Sequence, residues 1–349
     1  MNNKKKDIEI IDLGLHPYAD TFIKKNQLQI SEPIFPLKCY LNYKTGYIHN
    51  FIITNDQNRY NEYEYSYTSS NSSYSKNYWK KYFLDINKTL RINKNSKILE
   101  IGSNDGYLLK QFTKITTKLL GVDASSFMTK IALKNEIKTK NLIFNFKNSN
   151  KCMINKKKLD LVIANNVLNH ANDPSDFVKG VSNIIDKKGV FIFELPYWIK
   201  LVNQKKFDQI YHEHISYFTV KYSKYLLNKF GFVITKIEET NYHGGSIRIY
   251  STLNKKQKET QAVNKFISSE NKLKIFKKST YVMFMNELNI RKYKFLKKLI
   301  EYKINGYKII GVGAAAKGNT FLNFMGINNS MMDFITDASK FKIGKYTPL

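Results

Sequence analysis

Two sets of residues in this 349-residue chain have types and spacing suited to chemistry. The first is Glu100-Ile-Gly-Ser-Asn-Asp-Gly106, with Asp123 following about twenty residues on. Gly102 and Gly106 let backbone approach a ligand closely, with Asn104 between them, and a helix starting there offers unpaired N–H groups. A carboxylate at the place of Asp123 accepts hydrogen bonds from both hydroxyls of a ribose. Dinucleotide and S-adenosylmethionine sites share this arrangement, and the turn discriminates between them. It reads G-x-x-x-G rather than G-x-G-x-x-G, and Glu100 leads into it. A carboxylate there suits a cationic ligand with an amino acid tail and repels phosphate. S-adenosylmethionine is therefore the expected cofactor, with Asn165 closing the site at the end of the strand-like run 161–165. An ordinary strand–turn–helix with no ligand is the plainer alternative; Glu100, Asp123 and Asn165 falling in register weigh against it.

The second set is histidine-rich. Four of the six histidines sit in short polar stretches. His170 follows the run 159–165, at the carboxyl end of a strand, where α/β sheets bind ligands. His212 and His214 flank Glu213 just after Tyr211, and His243 precedes two glycines. Histidines can ligate zinc, but H-E-H lacks an evident third ligand nearby. Proton transfer fits better: a near-neutral imidazole removes a moderately acidic proton, and a tyrosine hydroxyl stabilises the oxyanion that forms.

The elements that must position these groups follow from periodicity. From residue 97 short apolar runs alternate with amphipathic stretches, as in βα units. Strands are expected at 97–101, 118–123, 141–146, 159–165 and 189–195. Helices are expected at 107–116, 125–135 and 174–186, the last capped by Asp173. Runs 232–238 and 246–252 suit an antiparallel pair. Residues 254–304 have helical spacing, and a second strand–turn–helix begins near residue 307 with Gly313-Ala-Ala-Ala-Lys-Gly318. The expected division is a module at 1–90, a cofactor domain at 91–253, a helical connection at 254–304 and an incomplete Rossmann-like unit at 305–349.

Bulk composition narrows the class. Hydrophobic residues make up 42%, an ordinary globular value. No apolar run approaches the roughly 20 residues that span a bilayer, and the lysine-rich start lacks the apolar core of a signal peptide. Two cysteines, Cys39 and Cys152, make no disulfide framework, so a cytoplasmic setting is expected. The formal charge of +29 points at first to nucleic acid. The excess is nearly all lysine, however, beside abundant Asn, Ile, Phe and Tyr, the signature of an AT-rich genome. Arginine, the better reader of phosphates and base edges, is scarce. Neither nucleic acid nor membrane is an expected partner, though the positive field suits an anionic small substrate.

On these and further motifs the sequence resembles the sugar C-methyltransferases, which methylate nucleotide-linked keto-deoxysugars at the carbon beside the ketone. The likeness runs over nearly the whole chain. It is carried by Asp12-Leu-Gly-Leu-His-Pro-Tyr-Ala-Asp-Thr-Phe22, Tyr65-Ser-Tyr-Thr-Ser-Ser70, the glycine turn, Asn165-Asn-Val-Leu-Asn-His170, Tyr211-His-Glu-His214, His243-Gly-Gly-Ser-Ile-Arg248 and Gly313-Ala-Ala-Ala-Lys-Gly318. The resemblance implies a Rossmann-like class I methyltransferase sheet between a small N-terminal module and a C-terminal Rossmann-like unit that helps hold a nucleotide-linked 4-keto-sugar. It implies His214 as general base, with Tyr65, His170, Tyr211 and Glu213 lining the reacting sugar and His243, Arg248 and Lys317 as further substrate contacts.

Two departures from the family pattern stand out. The family's N-terminal cysteine pairs bind zinc; here the first pair is absent and the second reads Asn42-Tyr-Lys-Thr45, so no structural zinc is expected. The family also extends beyond the position of Pro348, so an incomplete C-terminal unit is the expectation for the residues given. An O- or N-methyltransferase, needing no enolising base, is one alternative. A methyltransferase-fold binding protein without turnover is another.

Overall fold

In the computed structural model, residues 7–55, 68–70 and 72–348 are described. The chain begins with strands β1 (Ile8–His16), β2 (Phe35–Asn42) and β3 (Tyr47–Asn50), then helix α1 (Ser73–Leu90). There follow β4 (Ile98–Ile101), α2 (Tyr107–Phe112), β5 (Leu119–Asp123), α3 (Ser126–Lys134), β6 (Thr139–Asn141), α4 (Phe146–Ser149), β7 (Leu159–Asn165), α5 (Pro174–Ile184) and β8 (Ile185–Pro196). Next come α6 (Trp198–Gln204), β9 (Ser216–Tyr217), α7 (Val220–Asn228), β10 (Val233–Thr240) and β11 (Ser246–Thr252). The last elements are α8 (Ala262–Lys272), α9 (Lys278–Ile304), β12 (Ile310–Val312), α10 (Ala316–Met325) and β13 (Phe334–Thr336). No helix among the described residues is long and apolar enough to cross a membrane.

These elements sort into two compact units, each built from separate stretches of chain. The larger unit comprises residues 68–70, 72–197 and 218–269. Its seven-stranded sheet has the order β10-β11-β8-β7-β4-β5-β6. Strands β8, β7, β4, β5 and β6 run parallel, and β11 is antiparallel to both β8 and β10. This is the sheet expected of a class I methyltransferase, with the switch point between β4 and β7. Its central strands are apolar runs because both faces are covered; every residue of β4 is buried. On one face α1 and α2 supply Trp79, Tyr82, Phe83, Leu109 and Phe112, which pack against Ile98, Ile163 and Ile192. The side chain of Asp173 accepts from the N–H groups of Ser175 and Asp176, with Pro174 at the first helical position, so α5 starts where its cap dictates.

Several expectations shift in position. The third parallel strand is Thr139–Asn141, not 141–146: the apolar residues after it leave the sheet, with the Phe144 ring lying 5.0 Å from that of Phe177. Helix α1, which periodicity did not single out within 1–90, belongs to the sheet unit. Segment 198–217, expected inside the cofactor domain, folds instead with the other unit.

That second unit comprises residues 7–55, 198–217 and 270–348. Strands β1-β2-β3-β9 form an antiparallel sheet. Trp198 donates its indole N–H to the Tyr281 hydroxyl at 2.8 Å, which fastens α6 to α9. The expected second strand–turn–helix is present: β12 pairs in parallel with β13, and Gly313 at φ +90° turns the chain into α10. Asn42 and Thr45 hydrogen-bond to each other, Thr45 donating both N–H and hydroxyl to Asn42 Oδ1 at 3.1 Å. Asn42 Nδ2 donates to Asp7 at 2.7 Å, and the same Asp7 carboxylate lies 3.0 Å from His49 Nε2. A polar cross-link thus ties β1, β2 and β3 together.

Candidate cofactor and catalytic sites

In the sheet unit, the expected cofactor residues converge on the carboxyl ends of β4, β5 and β7. The turn after β4 needs unusual backbone: Gly102, Asn104 and Gly106 have φ of +70°, +51° and +77°. At Gly102 a Cβ would lie 2.9 Å from Val167, so the turn presses against the loop after β7. Asp123 ends β5 and organises that turn. Its Oδ2 accepts from the Asn104 N–H and its Oδ1 from the Ser125 N–H, both at 2.8 Å. A carboxylate has about four acceptor positions, so these two bonds leave about two of them open. Burial pushes the Asp123 carboxyl up to about 6. Burial, with the charges of Asp105 and Asp123 nearby, holds Glu100 well above the usual carboxylate range.

Buried polar atoms at this end await a partner. Glu100 Oε2, Asn165 Nδ2, Asn166 Oδ1 and both side-chain atoms of Asn169 have none among the described residues. Burying such groups unpaired is costly, so a bound water, ion or ligand is the expected partner of each. Donors and acceptors on a zwitterionic amino acid tail and a nucleoside fit this set. Asn169 was not singled out by sequence spacing; it lies one residue from His170, in the short 3-10 turn 168–170 after β7.

Serine residues preceding α1 reach the same turn. Ser69 donates its N–H to Asn104 Oδ1 at 2.8 Å, and Ser70 donates N–H and hydroxyl to Asp105 at 3.0 and 2.6 Å. Tyr65 lies outside the described residues. His243 adopts φ +50° and is followed by Gly244 and Gly245 at +79° and +121°, so this tripeptide is the tight turn joining β10 to β11. Arg248 corrects an expectation. Its guanidinium is buried rather than offered to substrate: Nε donates to Glu194 at 2.8 Å and Nη2 to the Tyr78 hydroxyl at 3.1 Å. Arg248 and Glu194 are directly opposed across β11 and β8, and Tyr78 donates to the same carboxylate.

The other unit carries Tyr211, Glu213 and His214 in one turn, closed by the His214 N–H bonding the Tyr211 carbonyl at 3.0 Å. Asn50, at the end of β3, holds that turn. Its side-chain nitrogen donates to the carbonyls of Tyr211 and His214 at 3.0 and 2.8 Å, and its oxygen accepts from Tyr217. Sequence spacing gave no hint of Asn50, because the pairing spans 164 residues.

His214 Nδ1 lies 2.8 Å from the Gln209 carbonyl, which accepts only, so Nδ1 carries the proton. Nε2 then accepts from the Tyr211 hydroxyl at 2.7 Å. Glu213 Oε1 accepts from the Asp20 N–H at 3.0 Å, while Oε2 has no partner among the described residues. Burial pushes Glu213 up to about 7. His212 is structural: its ring is buried against the carbonyls of His16 and Phe35, and burial pulls it down to about 4. Lys317, in the first turn of α10, is lowered by burial and drawn the other way by the Asp208 carboxylate. Among the described residues no group of three or more His, Cys, Asp or Glu is placed to hold a metal ion.

Comparison with known proteins agrees with this construction. The methyltransferase domain family matches residues 74–237, and the C-methyltransferase C-terminal domain family matches 241–349. C-methyltransferase NovU of Streptomyces niveus is 25% identical over 252 residues, 72% of this chain and 60% of that protein. A ubiquinone biosynthesis O-methyltransferase of Pelagibacter ubique is 31% identical over 98 residues, 28% of this chain and 40% of that protein. The chain therefore spans less than two thirds of the length of these relatives. Among solved structures, an S-adenosylmethionine-dependent methyltransferase from Clostridium acetobutylicum is 17% identical, with 53% of this chain and 94% of that one covered at a TM-score of 0.42. Magnesium protoporphyrin IX methyltransferase (ChlM) from Synechocystis, solved with bound SAH, is 14% identical, with 51% and 82% covered at 0.41. The chain thus carries a match to a methyltransferase domain followed, after three residues, by a match to a C-methyltransferase C-terminal domain.

Proposed function

We propose that this protein transfers a methyl group to carbon, on a nucleotide-linked 4-keto-deoxysugar, after base-catalysed formation of an enolate. The observation that carries this reading is the Tyr211–His214 pair. Methylation of an oxygen or nitrogen lone pair needs no enolising base, whereas methylation beside a ketone does. The pair is arranged as one: with Nδ1 committed to the Gln209 carbonyl, Nε2 is the basic atom, and it already faces a hydroxyl.

Glu100, Asn104, Asp123 and Asn165 would hold the cofactor, which when bound supplies an electrophilic methyl group on a sulfonium. His214 takes the proton from the sugar carbon, either directly or through the Tyr211 hydroxyl. In the second case Tyr211 passes its own proton to Nε2 as it accepts the substrate's. Neutral Tyr211 or His170 donating to the enolate oxygen would lower the same barrier. Glu213, near neutral in its titration, is an acceptor for a sugar hydroxyl. The nucleotide-sugar class rests on the family likeness, and the net charge of +29 suits its anionic diphosphate.

Solvent deuterium exchange into nucleotide-linked 4-keto-sugars tests the base. Wild-type protein is expected to label the carbon beside the ketone, and His214→Ala to lose about two or more orders of magnitude of that rate. Exchange persisting unchanged in His214→Ala removes the role; methyl transfer to oxygen or nitrogen that survives it favours an O- or N-methyltransferase instead.

A further inference from the structure

Asn165 ends β7, and its amide has two different neighbours to satisfy. Oδ1 accepts from the Tyr82 hydroxyl at 3.2 Å, while Nδ2 has no partner among the described residues. An amide can rotate by half a turn and exchange these two atoms, so something must decide which is presented to a ligand. Tyr82 can decide it. The residue is fully buried in α1 between the sheet and the helix face. Burial raises its phenol well above the ordinary tyrosine range, which keeps the hydroxyl protonated. The Arg248 guanidinium carbon sits 4.1 Å from the centre of the Tyr82 ring, where a cation draws on the ring electrons and strengthens the O–H as a donor. Arg248 is fixed there in turn by Glu194 and Tyr78.

We infer that Tyr82 is a positioning residue for the cofactor: by donating to Asn165 Oδ1 it leaves the buried Nδ2 as the donor available to an acceptor atom of bound S-adenosylmethionine. This rests on the reading of Asn165 as a cofactor residue. Tyr82 itself touches no ligand. Its effect is on the orientation of an amide, and the ion pair beneath the ring is the support that keeps the phenol in place. The same arrangement explains why a buried arginine, an expensive residue to place in a core, lies beneath a ligand-facing strand end.

Isothermal titration of S-adenosylmethionine into the full chain tests this with four proteins: wild type, Tyr82→Phe, Asn165→Ala and the double variant. Each single change is expected to weaken binding by roughly 5- to 30-fold. The double variant should be no weaker than Asn165→Ala alone, since Tyr82 acts through that amide. Thermal melts of the unliganded proteins show that each is folded at the titration temperature. Unchanged affinity in Tyr82→Phe, or losses that multiply in the double variant, overturns the inference while leaving Asn165 as a cofactor residue. Unchanged affinity in Asn165→Ala removes both.

Discussion

Glu100 and Asp123 are carboxyls that burial discourages from ionising, and both lie at the sheet end proposed for the cofactor. A ligand that needs them charged must displace their protons. Asp123 titrates at about 6. In the proposed role it is ionised above that pH and would accept ribose hydroxyls; below it the carboxyl is protonated and a weaker acceptor. Affinity for S-adenosylmethionine is therefore expected to fall by up to about tenfold per unit as pH drops through 6. Titrations at pH 5 to 8 check the slope, and buffers of differing ionisation enthalpy should reveal proton release that shrinks in Glu100→Gln. A flat affinity over this range would contradict the assignment of Asp123. At this scale residue type and spacing marked Glu100, Gly102, Gly106 and Asp123 as one cluster, and the structure brings them together at the strand ends, with Asp123 bonding the turn. Asn50, Asn169, Tyr82 and Glu194 were not legible, because each matters through a partner distant in sequence or through what it lacks.

Among elements, the junction of β8 with β11 is the most exacting. Glu194 and Arg248 oppose each other there, both almost completely buried. Removing one partner strands the other charge, so Arg248→Met is expected to lower unfolding free energy by about 3–5 kcal/mol. Adding Glu194→Leu should recover most of that loss, and chemical denaturation of the three variants reads it directly. If Arg248→Met alone leaves stability unchanged, the pair does not hold the strands. Periodicity located these two strands correctly, as it did β4, β5, β7 and α5. It misplaced β6, because the apolar run after Asn141 reads as a strand while its phenylalanine packs against a helix. It passed over α1, whose buried stripe of Trp79, Tyr82, Phe83 and Ile86 is mostly aromatic and interrupted by lysine and aspartate.

For the whole molecule, charge is the property that reaches furthest. A net +29 creates a field that hastens encounter with an anionic substrate and weakens as salt shortens the screening length. With a diphosphate-bearing sugar, kcat/KM is expected to fall several-fold between about 0.05 and 0.5 M salt while kcat holds, as steady-state kinetics would show. A salt-independent kcat/KM would leave the charge as a composition effect only. The grouping of segments into two units could not be read from the sequence. It depends on pairings such as Ile48 with Tyr217, for which no local pattern exists.

That long pairing sets a timetable for biosynthesis. The edge of β3 meets β9 only after the chain has grown far enough to bring Ser216 to Tyr47, 169 residues later. At translation rates of about 5–20 residues per second, the nascent N-terminal hairpins wait on the order of 10–30 s with that edge open. Every parallel strand of the sheet unit emerges from the ribosome in the interval. A newly made chain thus has its parallel strands before it has the His214 imidazole in position, and chaperone capture of the waiting edge is the stage at which yield would be lost.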